Sequence, residues 1–404
     1  MAMNNDSAGA DRYTRCMLNL LRLVLIAAWV LASGCTSSSH QSATGLYGHL
    51  LIIGGGLDDD NKPVYERFVA LAGCGFEGIG GGARIVIATA ASGNQPENAT
   101  GKIESIRAYC PLARIDVIMR ETPTAETVAL IDQATAIFFT GGDQKRITAR
   151  YRPDGVDTPE AAAMRRLLAR GGVIAGTSAG DAMMSDPMFL TGRSAEALGI
   201  ASTRTDPNQD ADPEAPKSKA NTPPVLGPQI GPGMGFLPWA VTDSHFFERH
   251  RFGRLVAGLE ASKRRLGIGV GEDAAVEVDL ATGELIGISV ADSLLVDVGG
   301  LKRKGLDRTG IRARVVTQGT RISLPQLLMS PVPPPVTIGA AQSGQAIPIV
   351  EAGQNRQLAS WRFFTRAGAA VSAETWALKL DGYELVGRRD GDWSVVEIRV
   401  LGMK

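Results

Sequence analysis

Short apolar runs alternate with helical patterns through residues 50–175, and this alternation constrains the fold more than any other feature of the chain. The runs that we interpret as strands are Leu50–Ile53, Arg84–Thr89, Ile115–Met119, Ala136–Thr140 and Val173–Ala175. The stretches that we interpret as helices are Val64–Cys74, Asn98–Tyr109, Ala125–Gln133 and Pro159–Arg170. Because parallel strands need crossover connections, this order predicts an α/β fold with a doubly wound, mostly parallel sheet and helices on both faces.

Glycine-rich segments follow several of these strands. Gly54-Gly55-Gly56 and Gly141-Gly142 come directly after a strand, so they lie at the carboxyl edge of the sheet, where α/β proteins bind ligands. Gly54–Gly56 does not complete a dinucleotide fingerprint, and the acidic residues 58–60 would repel a pyrophosphate. The four histidines of the chain show no metal-ligand spacing. We therefore expect a site at this edge without a cofactor or a metal.

The segment Gly176-Thr177-Ser178-Ala179-Gly180 joins an apolar strand to a helical pattern. The flanking glycines allow a strand-to-helix turn so tight that the Ser178 side chain is presented above the sheet. Free N–H groups at the start of the following helix point to the same place and suit an anionic intermediate. This arrangement is typical of a serine nucleophile in acyl transfer, although glycine-rich strand ends also carry serines without a catalytic role.

Histidine is the usual base for such a serine, and His245 is the favoured candidate. His40 lies in a Ser/Thr-rich tail, and His49 opens the first strand, where we expect a structural role. His245 lies beside Asp243 at the boundary between an extended run and a helix, where catalytic groups of α/β proteins gather. His250 lies within that helix between arginines, which is more typical of a surface residue, and it remains the second candidate.

Motifs in the same order resemble the cyanophycinases, which belong to the serine peptidase family that includes dipeptidase E. The resemblance covers roughly residues 47–300, and its motifs are Gly54-Gly55-Gly56, Phe138-Phe139-Thr140-Gly141-Gly142-Asp143-Gln144, Gly176-Thr177-Ser178-Ala179-Gly180, Asp243-Ser244-His245-Phe246 and Arg251-Phe252-Gly253-Arg254-Leu255. The resemblance implies a fold like that of the class I glutamine amidotransferases, with serine replacing cysteine as the nucleophile.

The resemblance also implies catalytic roles. Ser178 would be the nucleophile, His245 the base and Glu196 the acid that orients the histidine. Backbone N–H groups at Ala179 and near Gly142 would hold the oxyanion. From the residues alone, Asp243 stays an alternative to Glu196. The other carboxylates of segment 182–212 lie in a Pro/Asp-rich stretch or next to a proline, close to the helical pattern that follows Ser178.

Substrate-site residues follow from the same resemblance and are Gln144, Asp243, Arg251 and Arg254. The implied substrate is a β-linked aspartyl-arginine polymer that is cleaved to dipeptides, and an arginine of this set would pair with its free carboxylate. A solvated helix face is the alternative explanation for at least one arginine of the cluster.

Two departures from the family pattern weaken the substrate assignment while leaving the hydrolase interpretation intact. Asp181 stands where the family often has a small residue. Ser244 stands where cyanophycinases commonly have glutamine.

The N-terminus has the pattern of a bacterial lipoprotein signal over residues 1–35. Basic residues precede the apolar run Leu23–Leu31, which is too short to span a bilayer. Small residues then precede Cys35, and a polar tether follows over residues 36–47. We expect acylation at Cys35 and anchoring of an exported protein to a bacterial membrane. An ordinary secretory signal cut nearby and an uncleaved anchor are the alternatives.

Cys74 and Cys110 remain after the signal is removed, and an oxidising compartment would allow them to pair, although the sequence leaves their proximity open. The net charge is zero, with 42 basic and 42 acidic side chains, and no basic tract interleaved with aromatic residues indicates a nucleic-acid surface. A peptide or polymer substrate and a membrane are the expected partners, and the sequence leaves a homodimer open.

The predicted domain organisation places an α/β serine peptidase domain at 48–325. A Pro-rich insertion at 203–233 would be a surface loop, either a lid over the site or an insertion without a role. Alternating strands in Gly267–Val298 would complete the sheet as a meander. A Pro-rich linker at 326–336 and a small C-terminal domain of unknown role at 337–404 would follow.

Together these features predict an exported, lipid-anchored serine peptidase of the cyanophycinase type. The alternatives are a hydrolase of small aspartyl peptides that is similar to dipeptidase E, and a non-catalytic surface lipoprotein that uses the fold as a binding module.

Overall fold

The computed structural model describes residues 45–75, 82–200, 225–289, 293–334, 338, 375–379 and 382–401. Within them the strands are β1 (His49–Ile53), β2 (Arg84–Ala88), β3 (Arg114–Ile118), β4 (Ala136–Phe139), β5 (Val173–Thr177), β6 (Met188–Thr191), β7 (Gln229–Gly231), β8 (Ala240–Asp243), β9 (Leu266–Val270), β10 (Ala275–Asp279), β11 (Glu284–Gly287), β12 (Ser293–Asp297), β13 (Lys302–Lys304), β14 (Asp307–Val316), β15 (Arg321–Ser323), β16 (Thr375–Lys379), β17 (Tyr383–Asp390) and β18 (Trp393–Val400).

The helices of the same residues are α1 (Lys62–Leu71), α2 (Gln95–Tyr109), α3 (Thr124–Gln133), α4 (Gln144–Tyr151), α5 (Pro159–Ala169), α6 (Ala179–Ala182), α7 (Ser194–Ala197), α8 (Phe252–Ser262) and α9 (Leu324–Met329). A 3₁₀ turn at Pro153–Gly155 follows α4. None of the helices in the described ranges is long and apolar enough to cross a membrane.

The first sheet has the order β15-β11-β10-β1-β5-β4-β2-β3, and its strands β1, β5, β4, β2 and β3 are parallel. Side chains alternate across it as the period of two requires. Leu50 and Ile52 pack with α5 on one face, whereas Leu51 and Ile53 pack with α1 and α2 on the other. The predicted α/β class, with a mostly parallel sheet covered on both faces, is therefore confirmed.

The segment predicted as a single meander is divided between two sheets. β10 and β11 extend the first sheet as antiparallel strands beside β1. β9 and β12 instead belong to a second sheet with the order β16-β17-β18-β14-β12-β9-β8, in which β8 and β9 are parallel neighbours. The expected meander is wrong in this respect, because alternating apolar residues do not specify which partner a strand takes.

The C-terminal strands do not form a separate domain. β18 pairs with β14, and β17 and β16 continue the second sheet beyond it. Leu385 and Ile398 are fully buried in the same core as Phe252 and Leu255 of α8. The expected linker also contains most of α9, whose Leu327 and Leu328 pack against the main core. The described residues belong to one compact unit.

The predicted Pro-rich loop at 203–233 is corrected in its last part. Residues 201–224 lie outside the described residues, but β7 pairs with β6, and Gly233 packs against the backbone of Ser185. Arg152 also donates to the carbonyl of Gly233. The end of the segment is therefore built into the fold.

Cys74 and Cys110 form a disulfide with a Cα–Cα distance of 6.1 Å. Cys74 lies just after α1 and Cys110 at the end of α2, so the bond ties together the two helices on one face of the first sheet. The sequence left open whether Cys74 and Cys110 pair, and in the structure they do.

Candidate active site

The candidate site lies where the ends of strands from both sheets meet. β1 and β5 are neighbours in the first sheet, and β8 and β9 are neighbours in the second. The last residue of β1 and the loop that follows it contact the residues that follow the other three strands. Ser178 N–H donates to the Ile53 carbonyl at 3.0 Å, His245 N–H to the Gly54 carbonyl at 2.7 Å, and Asp273 N–H to the Gly55 carbonyl at 2.8 Å.

Ser178 occupies a strained turn between β5 and α6. Its φ of 56° and ψ of −105° lie outside the regions that L-residues normally adopt. A Cβ atom at Gly176 would lie 2.3 Å from the Gly180 carbonyl oxygen, so the chain can fold back this tightly only with glycine at that position. The serine side chain is half-exposed, as the predicted nucleophile elbow requires.

His245 contacts the serine directly. Its Nε2 lies 2.7 Å from Ser178 Oγ. The ring fits against Gly55, where a Cβ atom would lie 2.3 Å from the imidazole Cε1. Burial lowers the pKa of His245 to about 4, and the positive charges of Arg249 and Arg251 act in the same direction. The imidazole is therefore neutral near pH 7 and can accept a proton.

Glu272 completes a line of hydrogen-bonding groups. Its Oε1 lies 2.6 Å from His245 Nδ1, and this bond holds the pKa of Glu272 below its ordinary value. The register of the second sheet explains the meeting, because Asp243 of β8 lies opposite Gly269 of β9. The residues that follow the two strands therefore emerge side by side.

The structure does not bring Glu196, the predicted third member of the triad, to His245, and the carboxylate that contacts the imidazole is Glu272. Glu196 Oε1 instead accepts a hydrogen bond from Arg193 Nη2 at 2.7 Å, and its other oxygen accepts the backbone N–H of Arg193 at the start of α7. A signal for Glu272 was present in the sequence. Gly271-Glu272-Asp273 directly follows the apolar run of β9, which is the context that identified His245.

The two predicted oxyanion groups lie in segments that adjoin the serine. Ala179 is the first residue of α6, where backbone N–H groups have no partner within the helix. A Cβ atom at Gly141 would lie 3.4 Å from Ser178 Cβ, so the turn after β4 passes beside the serine. Gly142 continues that turn with a φ of 133° and backs onto the Ala91 carbonyl.

Asp243 and Arg254 are buried partners of each other in this structure and do not line an open substrate site. Arg254 Nε and Nη2 donate to the two carboxylate oxygens of Asp243 at 2.8 and 2.5 Å, and both residues are almost fully buried. Arg251 adjoins the pair and donates to the Ser244 carbonyl at 2.8 Å. These contacts fix the end of β8, which precedes His245.

Gln144 uses its amide group within the protein. Nε2 donates to the backbone carbonyls of Phe189 at 2.7 Å and Leu190 at 2.9 Å. The two N–H groups of the amide are therefore engaged with β6, and the remaining way for Gln144 to contact a substrate is through its carbonyl oxygen.

The other predicted residues are placed as follows. Cys35 and the signal segment lie outside the described residues. The His250 residue is half-buried, and its backbone carbonyl accepts a hydrogen bond from Ser194 Oγ. In the described parts of the chain, no group of His, Cys, Asp and Glu side chains is arranged to hold a metal ion.

Comparison with known proteins shows that the chain is similar to cyanophycinases. The chain is 26% identical over 245 residues to the cyanophycinase of Synechococcus elongatus, covering 59% of this chain and 64% of the relative. It is 32% identical over 162 residues to the cyanophycinase of Nostoc sp. strain PCC 7120, covering 39% of this chain and 44% of the relative. The matches thus span less than two thirds of the length of these relatives.

Among solved structures, the chain is similar to a peptidase from an acI-B1 actinobacterium, with a TM-score of 0.45 and 17% identity over 69% of this chain and 98% of that chain. It is also similar to a putative peptidase E protein from Listeria monocytogenes, with a TM-score of 0.34 and 13% identity over 57% of this chain and 94% of that chain. No protein-family model matches the chain.

Proposed function

We propose that this homologue of the cyanophycinases is a serine peptidase in which Ser178, His245 and Glu272 form the catalytic triad. The observation that carries the proposal is the line of contacts from Ser178 Oγ through the imidazole to Glu272, with distances of 2.7 and 2.6 Å. The two ring nitrogens are thus both engaged, one with the nucleophile and one with a carboxylate, as the triad mechanism requires.

In the proposed reaction, Ser178 Oγ attacks the carbonyl carbon of the scissile amide, and its proton passes to His245 Nε2. Glu272 accepts the Nδ1–H bond throughout and stabilises the imidazolium that forms. The N–H groups of Ala179 and Gly142 stabilise the negatively charged oxygen of the tetrahedral intermediate. Collapse expels the amine, which takes the proton from Nε2, and water then hydrolyses the acyl-enzyme by the same steps in reverse order.

The finer proposal is that the substrate is an aspartyl-arginine polymer of the cyanophycin type, cleaved to dipeptides. Each unit of such a polymer carries a free carboxylate and a guanidinium group. Arg249 is half-exposed, and its positive charge lowers the pKa of both His245 and Glu272. That cation suits the free α-carboxylate of an arginyl unit next to the scissile bond.

We also propose that the protein is exported and lipid-anchored through Cys35. The sequence pattern of residues 1–35 supports export. The disulfide between Cys74 and Cys110 supports it independently, because such bonds persist mainly in oxidising compartments.

Three substrates test the activity and its finer assignment: cyanophycin, β-aspartyl-arginine dipeptides and α-aspartyl dipeptides, with the products read by mass. Dipeptides released from cyanophycin support the full proposal. Cleavage of α-aspartyl dipeptides alone would favour a hydrolase similar to dipeptidase E. A fluorophosphonate probe labels Ser178 in either enzyme, so absence of both labelling and turnover would support the binding-module alternative.

The matched variants are Ser178→Ala and Ser185→Ala. Ser178→Ala removes the nucleophile and should abolish turnover and labelling. Ser185 is fully buried, unlike Ser178, and among the described residues its hydroxyl bonds to backbone atoms of Pro187 and Thr242. Its replacement should lower stability without abolishing labelling, which separates loss of chemistry from loss of fold.

A further inference from the structure

Glu248 joins the two loops that carry the base and the acid of the proposed triad. It lies three residues after His245, in the connection between β8 and α8. Its Oε2 accepts the backbone N–H of Glu272 at 3.0 Å, across 24 residues of sequence. The side chain is half-buried, which is unusual for a glutamate that lacks an ion-pair partner within 4 Å among the described residues.

The opposite side of the same turn is held by a different set of bonds. Asp273 has a φ of 57°, and its N–H donates to the Gly55 carbonyl. Its carboxylate accepts from Asn61 Nδ2 at 2.7 Å and from the Asp58 N–H at 3.1 Å. Glu248 therefore provides the contact on the side of the turn that adjoins the histidine loop.

The Glu272 side chain needs such support because it is not enclosed. It is 41% exposed, whereas the His245 side chain that it contacts is 10% exposed. A partly solvated carboxylate keeps a bond of 2.6 Å to the ring only if its backbone is fixed, since its own rotamers are open to water.

We propose that Glu248 is a positioning residue that holds the Glu272 backbone so that the Glu272 carboxylate stays on His245 Nδ1. The inference rests on the proposed function, and it adds a residue that acts on the reaction only through Glu272. The charged groups that face Glu248 are Glu272 and Arg249, and the imidazole of His245 lies beyond Glu272. A neutral side chain with an oxygen in the same place preserves the hydrogen bond, so the acceptor and not the charge is the feature that matters.

Turnover measurements on Glu248→Ala and Glu248→Gln test the acceptor. Glu248→Ala should lower kcat by about tenfold or more with KM within about twofold, because loosening the acid by a fraction of an ångström misaligns the base. Glu248→Gln should restore kcat to within about threefold of the wild type, since its amide oxygen accepts the same N–H. The matched control is Glu260→Ala. Glu260 lies on α8, accepts a hydrogen bond from Arg308 Nε at 2.9 Å, and has no contact with the triad among the described residues.

A double-mutant cycle with Glu272→Ala separates a positioning role from a general structural one. If Glu248 acts through Glu272, then Glu248→Ala should have no further effect on kcat in the Glu272→Ala background. Additive losses in the double variant would overturn the inference, and so would a wild-type kcat in Glu248→Ala.

The Nδ1 proton resonance of His245 tests the positioning role of Glu248 without requiring the protein to turn over a substrate. The Nδ1 proton of His245, assigned by its loss in His245→Ala, should give a downfield proton resonance in protein labelled with ¹⁵N-histidine. It should persist in Glu248→Gln and Glu260→Ala and disappear or broaden in Glu248→Ala. This outcome in a protein without peptidase activity would support the positioning role and reject the proposed function. An unchanged resonance in Glu248→Ala would reject the positioning role itself.

Discussion

Gly55 provides the sharpest test of the site, because its α carbon faces the ring of the proposed base. Its φ is 107°, and a Cβ atom built there would lie 2.3 Å from Cε1, 2.4 Å from Nε2 and 2.9 Å from Nδ1 of His245. Carbon atoms in contact are normally separated by about 3.5–4.0 Å. The methyl group of Gly55→Ala would therefore push the imidazole away by roughly 1 Å or more.

A shift of this size affects both bonds of the histidine. They measure 2.7 Å to Ser178 and 2.6 Å to Glu272, and a hydrogen bond weakens steeply beyond about 3.2 Å. The loop cannot easily yield instead of the ring, because the Gly55 carbonyl accepts the N–H of Asp273 in the turn that carries the acid. We expect Gly55→Ala to lower kcat/KM by about 10² or more, since a misplacement of about 1 Å has an effect of that order.

Gly171→Ala is the matched control. Gly171 has a φ of 87° with open space around it, and it lies at the opposite end of β5 from Ser178. Both variants lose about 1–2 kcal/mol of stability through the positive φ, but only Gly55→Ala crowds the histidine. Peptide hydrolysis, probe labelling and thermal melting should be measured on both. Activity of Gly55→Ala within tenfold of the wild type would refute the reasoning, as would an equal loss in Gly171→Ala.

Four further outcomes follow from the same structure. The acidic limb of kcat/KM should have an apparent pKa of about 4, because burial lowers the pKa of His245 and the free base persists until the pH falls through that value; a limb near 6.5 would contradict it. Replacing Cys74 and Cys110 by alanine should lower the free energy of unfolding by about 2–4 kcal/mol in urea titrations, because the bond closes a loop with a sequence separation of 36; an unchanged titration would show that the bond is not formed. Cys35→Ser should move the protein from the detergent phase to the aqueous phase, and a mutant that stays in detergent would exclude lipidation there. Asp181→Ala should raise the free energy of unfolding by about 1–3 kcal/mol at pH 7, because it removes a buried carboxyl whose oxygens have no hydrogen-bond partner among the described residues. Burial raises the pKa of the Asp181 carboxyl in the folded state. The folded state therefore loses stability as the pH rises above about 4, the pKa of this carboxyl in the unfolded chain, and the stabilisation by Asp181→Ala should increase with pH above that value. A variant less stable than the wild type would contradict this.

The parallel half of the fold could be predicted because its signals are local. The five predicted strands agree with β1–β5 to within one or two residues, since each is a short apolar run bounded by turn residues. The helix α4 was missed because its sequence, Gln144–Tyr151, is mostly polar. Its burial of Ile147 and Tyr151 becomes evident only once the sheet is assembled.

The contact between Ser178 and His245, the proposed nucleophile and base, could be anticipated from the sequence, whereas the carboxylate that contacts the imidazole could not. Ser178 and His245 lie in motifs whose glycines and strand ends indicate an exposed catalytic group. Glu272 has the same strand-end context, but its contact with His245 depends on β8 and β9 being parallel neighbours in the second sheet. That pairing involves no short-range signal, and the resemblance to the cyanophycinases implied Glu196 instead, with Asp243 as the alternative from the residues alone.

Gly54–Gly56 is a second case in which the sequence predicts the location of a segment but not the contact that explains its residues. The sequence places these glycines at the carboxyl edge of the sheet, and the structure agrees. The reason for glycine at 55 is the ring of a residue 190 positions later, which occupies the space that a side chain would need. Such a requirement arises only from the assembled fold.

The carboxylates near the site differ in their partners, and Glu272 is the one that contacts the imidazole of His245. Two arginine side chains neutralise Asp243, which therefore contributes little field at the imidazole. Burial raises the pKa of Asp181 well above its ordinary value, which disfavours a charge there. Glu272 is the exception, because its bond to the imidazole keeps its pKa low and its charge in place. A base whose own pKa is lowered by burial and by Arg249 thus depends on Glu272 for the stabilisation of its imidazolium, which is why the position of that single carboxylate should govern the rate.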